Sequence, residues 1–300
     1  MDVFRKACLA VSALMLSASA TLAADTTAAS RWDAQHRINV TGRQGMLSER
    51  IAKAACLVSR DPANGAKLQE LFEAREVFMF SRKVLRTGSA EMGLAAETSL
   101  APVQERASAL AQKYDGVVYD FAAALPFRVN NEKLEKIYEL NLPVLNGLND
   151  AVDFLESRQR DGHLVRRGLA AGINVSTLLR MLSQKMVKEA CEIASGYKTD
   201  ETRNQLKGTI ALFASSHENL KRGMIETNIG EREGMPVVLQ LMLVERHWAE
   251  LSKRYAGISE GGTPADEDLA KLAAEGKVLL AELNRTVELL EAIDIPRAMN

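Results

Sequence analysis

Apolar residues recur every three or four positions along most of the chain. In one stretch, 131–158, the apolar positions are Leu134, Ile137, Val144, Leu148, Val152 and Leu155. This spacing places them along one face of a helix, where they can pack against a core. Together with the proline and glycine interruptions, the pattern predicts helices over roughly residues 31–60, 65–87, 99–124 and 131–158.

Proline and glycine mark the expected ends of these helices. Pro102 is expected to open the third helix and Pro126 to end it, while Gly88 closes the second. Pro143 falls inside the fourth helix, where the missing N–H should bend it. In the second half of the chain, Pro236 is expected to open the corresponding third helix. Short loops between long helices favour antiparallel neighbours, so the fold class is all-α, with up-down four-helix bundles.

The chain contains an internal duplication with a period of 135 residues. Residues 38–56 (INVTGRQGMLSERIAKAAC) and 173–191 (INVSTLLRMLSQKMVKEAC) are identical at nine of nineteen positions. The same offset relates later positions, except in the third helix, where it becomes 141. A fixed register over such a length indicates two copies of one unit. The polar segment 157–165, which contains a glycine, is expected to be a hinge between them.

The amino terminus is interpreted as an export signal. Arg5 and Lys6 precede a short apolar stretch, and small residues then lead to a cleavage site near residue 23. The expected organisation is a signal peptide at 1–23, a first copy at 31–160 and a second copy at 166–296. No later stretch has the length of a membrane span. We therefore expect an exported protein in the periplasm with no transmembrane span in the mature chain.

Composition and charge exclude several function classes. A net charge of −1 provides no basic field for nucleic acid. The four histidines form no recognisable metal pair, and no haem, P-loop, GxSxG or HExxH motif occurs. The sequence thus predicts neither an enzyme nor a metal or cofactor site.

The repeated segment carries a family resemblance. IN-x-x-G-R-Q-x-M-L-S-x-R, at Ile38–Arg50, resembles the first-helix motif of the PilJ-type domain, the N-terminal sensor domain of type IV pili methyl-accepting chemotaxis transducers. It is also similar to the anion-binding segment of NarX/NarQ-type nitrate and nitrite sensor kinases. In those kinases two sensor domains pair, and their motif helices hold one nitrate between two arginines. The resemblance implies that this chain supplies both halves of such a pair, as a pseudo-twofold intramolecular dimer.

The motif is incomplete in a different way in each copy. The position of the anion-binding arginine holds Arg180 in the second copy and Gly45 in the first. The motif glycine is Gly42 in the first copy, whereas the second has Thr177 at this position. Arg43 lies roughly 160° around the helix from position 45, so it does not replace the missing arginine there. A site with one arginine is expected to bind more weakly or with altered specificity.

Other motif residues are candidates for the wall of an anion site. They comprise two asparagines, two methionines and two serines at equivalent positions: Asn39, Asn174, Met46, Met181, Ser48 and Ser183. A guanidinium matches a planar oxyanion through paired N–H donors. The alternatives are a surface ion pair for Arg180, hydrogen bonds between helices for the asparagines and core packing for the methionines.

Cys56 and Cys191 occupy equivalent positions in the repeat. If the two copies pack about a twofold axis through the motif helices, these residues can approach and form a disulfide. The alternative is a pair of buried thiols.

Two functional hypotheses follow. The first is a periplasmic sensor or binding module for a small anion such as nitrate or nitrite. It would act through a membrane receptor or sensor protein, because no signalling region follows the second copy. The second is a scaffold that has lost its ligand and serves as an interaction partner of a receptor, pilus or transport system. Anion transport as a carrier is a minor third.

Overall fold

The structure is a computed structural model that describes residues 32–97, 100–125, 128–161, 167–226 and 231–293. Within these residues the regular elements are eight helices, and an isolated bridge between Ser89 and Leu94 is the only β-type pairing. The predicted all-α fold class is confirmed.

The helices follow one another through short connections. They are α1 (residues 32–60), α2 (Gly65–Thr87), α3 (Pro102–Ala124), α4 (Asn131–Asp161), α5 (Arg167–Ala194), α6 (Thr199–Glu226), α7 (Glu231–Ser259) and α8 (Asp266–Ala292). In the second copy α5 packs on α6 and α8, and α7 packs on α6 and α8, which closes a four-helix bundle. In the first copy α2 packs on α3 and α3 on α4.

Local signals explain most of the helix ends. Asn64 caps α2 by accepting a hydrogen bond from the Lys67 N–H. Gly88 ends it at φ 75°, in the left-handed region that glycine adopts without strain. Pro102 is the first residue of α3, where its missing N–H leaves no helical bond unmade.

The prediction that Pro102 opens the third helix is confirmed, since α3 begins at that residue. Two other predicted boundaries were wrong. Pro236 lies inside α7, which already begins at Glu231. The expected hinge at 157–165 is helical as far as Asp161, the end of α4. Pro126 and residues 162–166 lie outside the described residues, as does the expected signal peptide, and the copy boundaries 31–160 and 166–296 stay predictions.

α1 and α5 lie side by side and join the two copies through reciprocal polar contacts. The buried Lys53 ammonium on α1 donates to the Gln184 side chain on α5 at 2.8 Å. The buried Lys188 ammonium on α5 forms an ion pair with Glu49 on α1 at 2.9 Å. Residue 188 is the repeat of 53, and residue 184 is the repeat of 49. Such an exchange of equivalent residues is the signature of a twofold-related interface.

A second reciprocal pair lies further towards the start of the two helices. Asn39 on α1 donates to Glu291 on α8 at 3.0 Å, and Asn174 on α5 donates to Glu156 on α4 at 2.6 Å. Residue 291 is the repeat of 156. Each motif helix therefore bonds to the last helix of the other copy, and the halves are related as in an intramolecular dimer.

A disulfide between Cys56 and Cys191 joins α1 to α5, with the two Cα atoms 6.2 Å apart. Both residues are completely buried. The bond closes a loop of 135 residues. Since cross-linking restricts the unfolded chain more when the loop is long, this bond should contribute substantially to stability.

We expect the double variant Cys56→Ser/Cys191→Ser to lose about 4 kcal/mol of unfolding free energy in the chain-entropy description. Urea unfolding of the oxidised wild type, the reduced wild type and the variant measures this. A reductant should destabilise the wild type and leave the variant unchanged. Two free thiols in a mass spectrum of the unreduced wild type would contradict the disulfide.

A cluster of charges is buried beside the disulfide on α5. Burial raises the pKa of Glu192 to about 7, and the charges of Glu189 and Glu49 act in the same direction. Lys188 and Lys185 oppose the shift without cancelling it. Glu192 is 4% exposed, so water screens its charge little.

The stability of the wild type should therefore fall as pH rises from about 5 to about 8. The pKa of Glu192 is higher in the folded than in the unfolded chain, so the folded state holds more protons in this range. Glu192→Gln removes this titration and should remove up to about 3 kcal/mol of the pH dependence. Urea unfolding at a series of pH values measures it, with the exposed Glu73→Gln as control. Equal pH dependence in wild type and Glu192→Gln would contradict the assignment.

Candidate functional site

Arg180 points from α5 into the contact between the two copies and is 3% exposed. Its Nη2 donates to Asn39 Oδ1 on α1 at 2.6 Å. Its Nη1 donates to Asn284 Oδ1 on α8 at 3.4 Å, a long and weak hydrogen bond. Its Nε is buried and has no hydrogen-bond partner. The guanidinium is thus held by two neutral amides with part of its donor capacity unused.

The Arg180 charge is incompletely compensated. Across the described part of the chain, no carboxylate accepts a hydrogen bond from it. Burial lowers its pKa to about 10, the positive charge of Arg43 adds to the shift, and Glu291 opposes it. Glu291 itself is engaged by the His36 ring and by Asn39, both at 3.0 Å. A buried cation in this state attracts a small anion.

The equivalent place in the other half of the interface is a cavity. It has a volume of about 200 Å³, and both Asn149 and Asn174 line it. These residues are the repeats of Asn284 and Asn39, the two partners of Arg180. Position 45, where an arginine would reach them, is a glycine. A Cβ atom at position 45 would lie 3.9 Å from Asn149 Oδ1, so a longer side chain there would extend along the Asn149 wall of this cavity.

Gly42 allows α1 and α5 to approach closely. A Cβ atom at this position would lie 2.6 Å from Thr177 Oγ1 and 2.7 Å from Thr177 Cβ. Residue 177 is the repeat of residue 42, so the twofold relation brings these two positions together. A side chain fits on one of the helices only, which explains why one copy has glycine and the other threonine.

The remaining candidates occupy the core around this contact. Ser48 and Ser183 donate to the carbonyls of Gly45 and Arg180, three residues earlier in their own helices. Met46 and Met181 are buried in the main core, and Met181 also lines the cavity. A ligand role for these residues stays a prediction.

Three residues of the site were missed from the sequence: His36, Asn284 and Glu291. The repeat contained a signal for two of them, because Asn149 and Glu156 return at 284 and 291. Arg43, which was excluded as a substitute for the missing arginine, is exposed, and its charge acts on Arg180 of the other copy. No local pattern singles out His36.

The family model of the N-terminal domain of type IV pili methyl-accepting chemotaxis transducers, PilJ, matches the chain at residues 26–126 and 165–272. The chain belongs to this family. Because the two matched segments fall in the two halves of the duplication, they confirm that the chain carries PilJ-type domains in tandem. This is a family of chemotaxis and signal-transduction proteins, and it is a signalling family without catalysis.

The methyl-accepting chemotaxis protein McpN of Pseudomonas aeruginosa is 33% identical to the chain over 122 residues. The match covers 40% of this PilJ-type chain and 22% of McpN. No solved structure matches this PilJ-type chain. The described helices include none that is long and apolar enough to cross a bilayer. Within the same described residues, no three or more His, Cys, Asp or Glu side chains form a cluster suited to a metal ion.

Gly42→Ala should destabilise the protein by about 1–3 kcal/mol, because the new methyl group overlaps the Thr177 side chain. The matched control is Gly116→Ala on α3, where a Cβ meets open space and helix propensity improves by roughly 1 kcal/mol. Urea unfolding compares the two. Adding Thr177→Gly to Gly42→Ala should restore stability, and equal stability of Gly42→Ala and Gly116→Ala would contradict the close contact.

Proposed function

We propose that this chain is an exported sensor or binding module that holds a small oxyanion of the nitrate or nitrite class beside Arg180, between α1 and α5. The observation that carries the proposal is the state of the Arg180 guanidinium. It is buried, it lacks a hydrogen-bonded carboxylate, and its Nε is unpaired. The resemblance of the motif to nitrate-sensing domains supports this choice of ligand.

The chemistry of Arg180 suits a planar trigonal anion. Two N–H groups on one edge of a guanidinium can donate to two oxygens of nitrate, and both bonds are strengthened by charge. The anion would replace the 3.4 Å hydrogen bond to Asn284, which contributes little. Since the pKa of Arg180 is about 10, the cation is present throughout the physiological range.

The position of the site suits a sensor. Arg180 lies on α5 and its partner Asn39 lies on α1, so a ligand there contacts both copies at once. The disulfide fixes the same two helices to each other further along. The ends of α1 and α5 that lie away from the disulfide could adopt more than one arrangement. A ligand that binds more tightly to one arrangement would shift the equilibrium towards it. A membrane signalling protein would detect this change.

Export to the periplasm is part of the proposal. Residues 1–23 have the pattern of a cleaved signal, and a disulfide suits an oxidising compartment. Amino-terminal sequencing of the protein from a periplasmic fraction tests this. A mature chain starting near residue 24 is expected.

Calorimetry with nitrate and nitrite tests the anion site. The wild type should bind at least one of them, and Arg180→Ala should weaken binding by about 10- to 100-fold through loss of a charge-assisted pair. Arg180→Lys keeps the charge without the planar fork and should give an intermediate affinity. The control is Arg285→Ala on the exposed face of α8, which should bind like the wild type.

Gly45→Arg provides a gain-of-function variant. The new side chain can reach Asn149 and Asn174 through the 200 Å³ cavity, although Leu145 Cδ1, 3.3 Å from the added Cβ, must shift slightly. We expect about tenfold tighter binding of the anion than in the wild type. Absence of heat from both the wild type and this variant would exclude the anion site.

The second candidate is a scaffold that has kept the fold and lost the ligand. The 200 Å³ cavity lined by Asn149 and Asn174 favours this second candidate, because the acidic Asp153 also lines the cavity and repels an anion. On this hypothesis the wild type gives no heat with either anion, whereas Gly45→Arg binds. The wild type then needs a stable protein partner in periplasmic extract.

A further inference from the structure

A second cavity, separate from Arg180, lies between the helices of the first copy and opens to the surface. It has a volume of about 400 Å³, which is in the range of small-molecule sites. All four helices of the copy contribute to its wall: Gln44 from α1, Arg82 from α2, Ser108 from α3 and Leu148 from α4.

One polar side chain of this cavity lacks a partner. Gln44 is 4% exposed and lines the cavity, and no described side chain or backbone group is hydrogen-bonded to its amide. The amide therefore faces the space of the cavity, where only solvent or a ligand can bond to it. Gln44 therefore offers a donor and an acceptor to an occupant of the cavity.

The cavity is positively charged. Arg82 donates to the Ser108 backbone carbonyl at 2.9 Å and to its hydroxyl at 3.3 Å, whereas its buried Nε has no partner. Lys83 and Arg86 are exposed at the same wall. The one carboxylate in the lining, Asp115, is already engaged by Arg75 at 2.7 Å.

The rest of the wall is apolar. It consists of Leu85, Ala107, Leu148 and Ala151 from three helices, with Leu100 from the segment before α3. An occupant that uses both parts of the wall must combine an anionic end with an uncharged body. Inorganic anions have no uncharged body that could contact the apolar wall.

The second copy shows what the same volume looks like when it is filled. Gln44 is replaced by Leu179, Arg82 by His217 and, at the offset of the third helix, Ala107 by Trp248. The Trp248 ring is 8% exposed and packs on Phe213 with 4.3 Å between ring centroids.

These substitutions remove both the free amide and the space. His217 bonds instead to the Leu241 carbonyl at 3.0 Å. An open, basic interior in one copy and a packed interior in the other distinguish the first copy as a binding unit.

We propose that the cavity inside the first copy binds a small organic carboxylate with an apolar body. The carboxylate lies at Arg82, the Gln44 amide completes its hydrogen bonds, and the body lies against Leu148 and Ala107. This site is independent of the oxyanion proposed at Arg180. Because Gln44 belongs to α1, its ligand contacts the same motif helix from the opposite side of the interface.

Thermal unfolding and calorimetry of the full chain test the proposal with three acid–amide pairs: benzoate and benzamide, phenylacetate and phenylacetamide, hexanoate and hexanamide. At least one acid should bind and raise the Tm, and its neutral amide should do neither. Arg82→Gln should weaken the binding of that acid by about tenfold or more. The exposed Arg106→Gln on α3 is the matched control and should bind like the wild type.

Two variants copy the filled interior of the second copy. Ala107→Trp should abolish binding by occupying the volume. Gln44→Leu should weaken binding and keep the fold, because the second copy carries leucine at the equivalent position, and urea unfolding of the variant checks that loss of folding does not explain the effect. Arg180→Ala should leave this binding unchanged.

Three results would overturn the proposal. They are failure of every acid to bind the wild type, equal binding of acids and amides, and binding that survives both Arg82→Gln and Gln44→Leu. Loss of carboxylate binding in Arg180→Ala would instead assign the ligand to the interface.

Discussion

The contact between α1 and α5 holds the molecule together, because each helix buries a lysine that bonds to a side chain of the other. Glu49 neutralises Lys188 across the contact, whereas the counter-ion of Lys53 is Glu70 in its own copy. Lys53 and Lys188 lie almost out of reach of water, and each is bonded to a polar side chain of the opposite helix. A buried charge without its partner is strongly unfavourable. The two copies therefore cannot separate at this contact without large cost, and the disulfide at Cys56 prevents it covalently.

The sequence was sufficient for the helices and the duplication because both depend on local or repeated patterns. The bounds of α2 follow from Asn64 and Gly88, whose side-chain chemistry ends a helix wherever it occurs. Pro236 was wrongly predicted to open its helix, because the start of that helix does not follow from local sequence alone. Proline favours a first turn, but packing of α7 on its neighbours extends the helix in front of it. Local preference is a weak guide where tertiary contacts decide.

The candidate site was only partly predictable. The motif identified Arg180, but its environment comes from residues that are distant in sequence, such as Asn284 and Glu291 on α8. The cavity of the first copy was not predicted at all. It depends on the summed volumes of side chains from four helices. The first copy has Ala107 where the second has Trp248, and this difference contributes to an open cavity in the first copy and a filled interior in the second.

The asymmetry at Gly42 and Thr177 has a consequence for how such a protein can change. In a pair of identical subunits every substitution appears twice, so threonine at this crossing would meet itself across the axis. Here the halves are encoded separately and each substitution occurs once. One half can lose an arginine while the other fills its interior, and the shared fold survives. Two copies within a single chain can therefore diverge from each other, which two identical subunits cannot do.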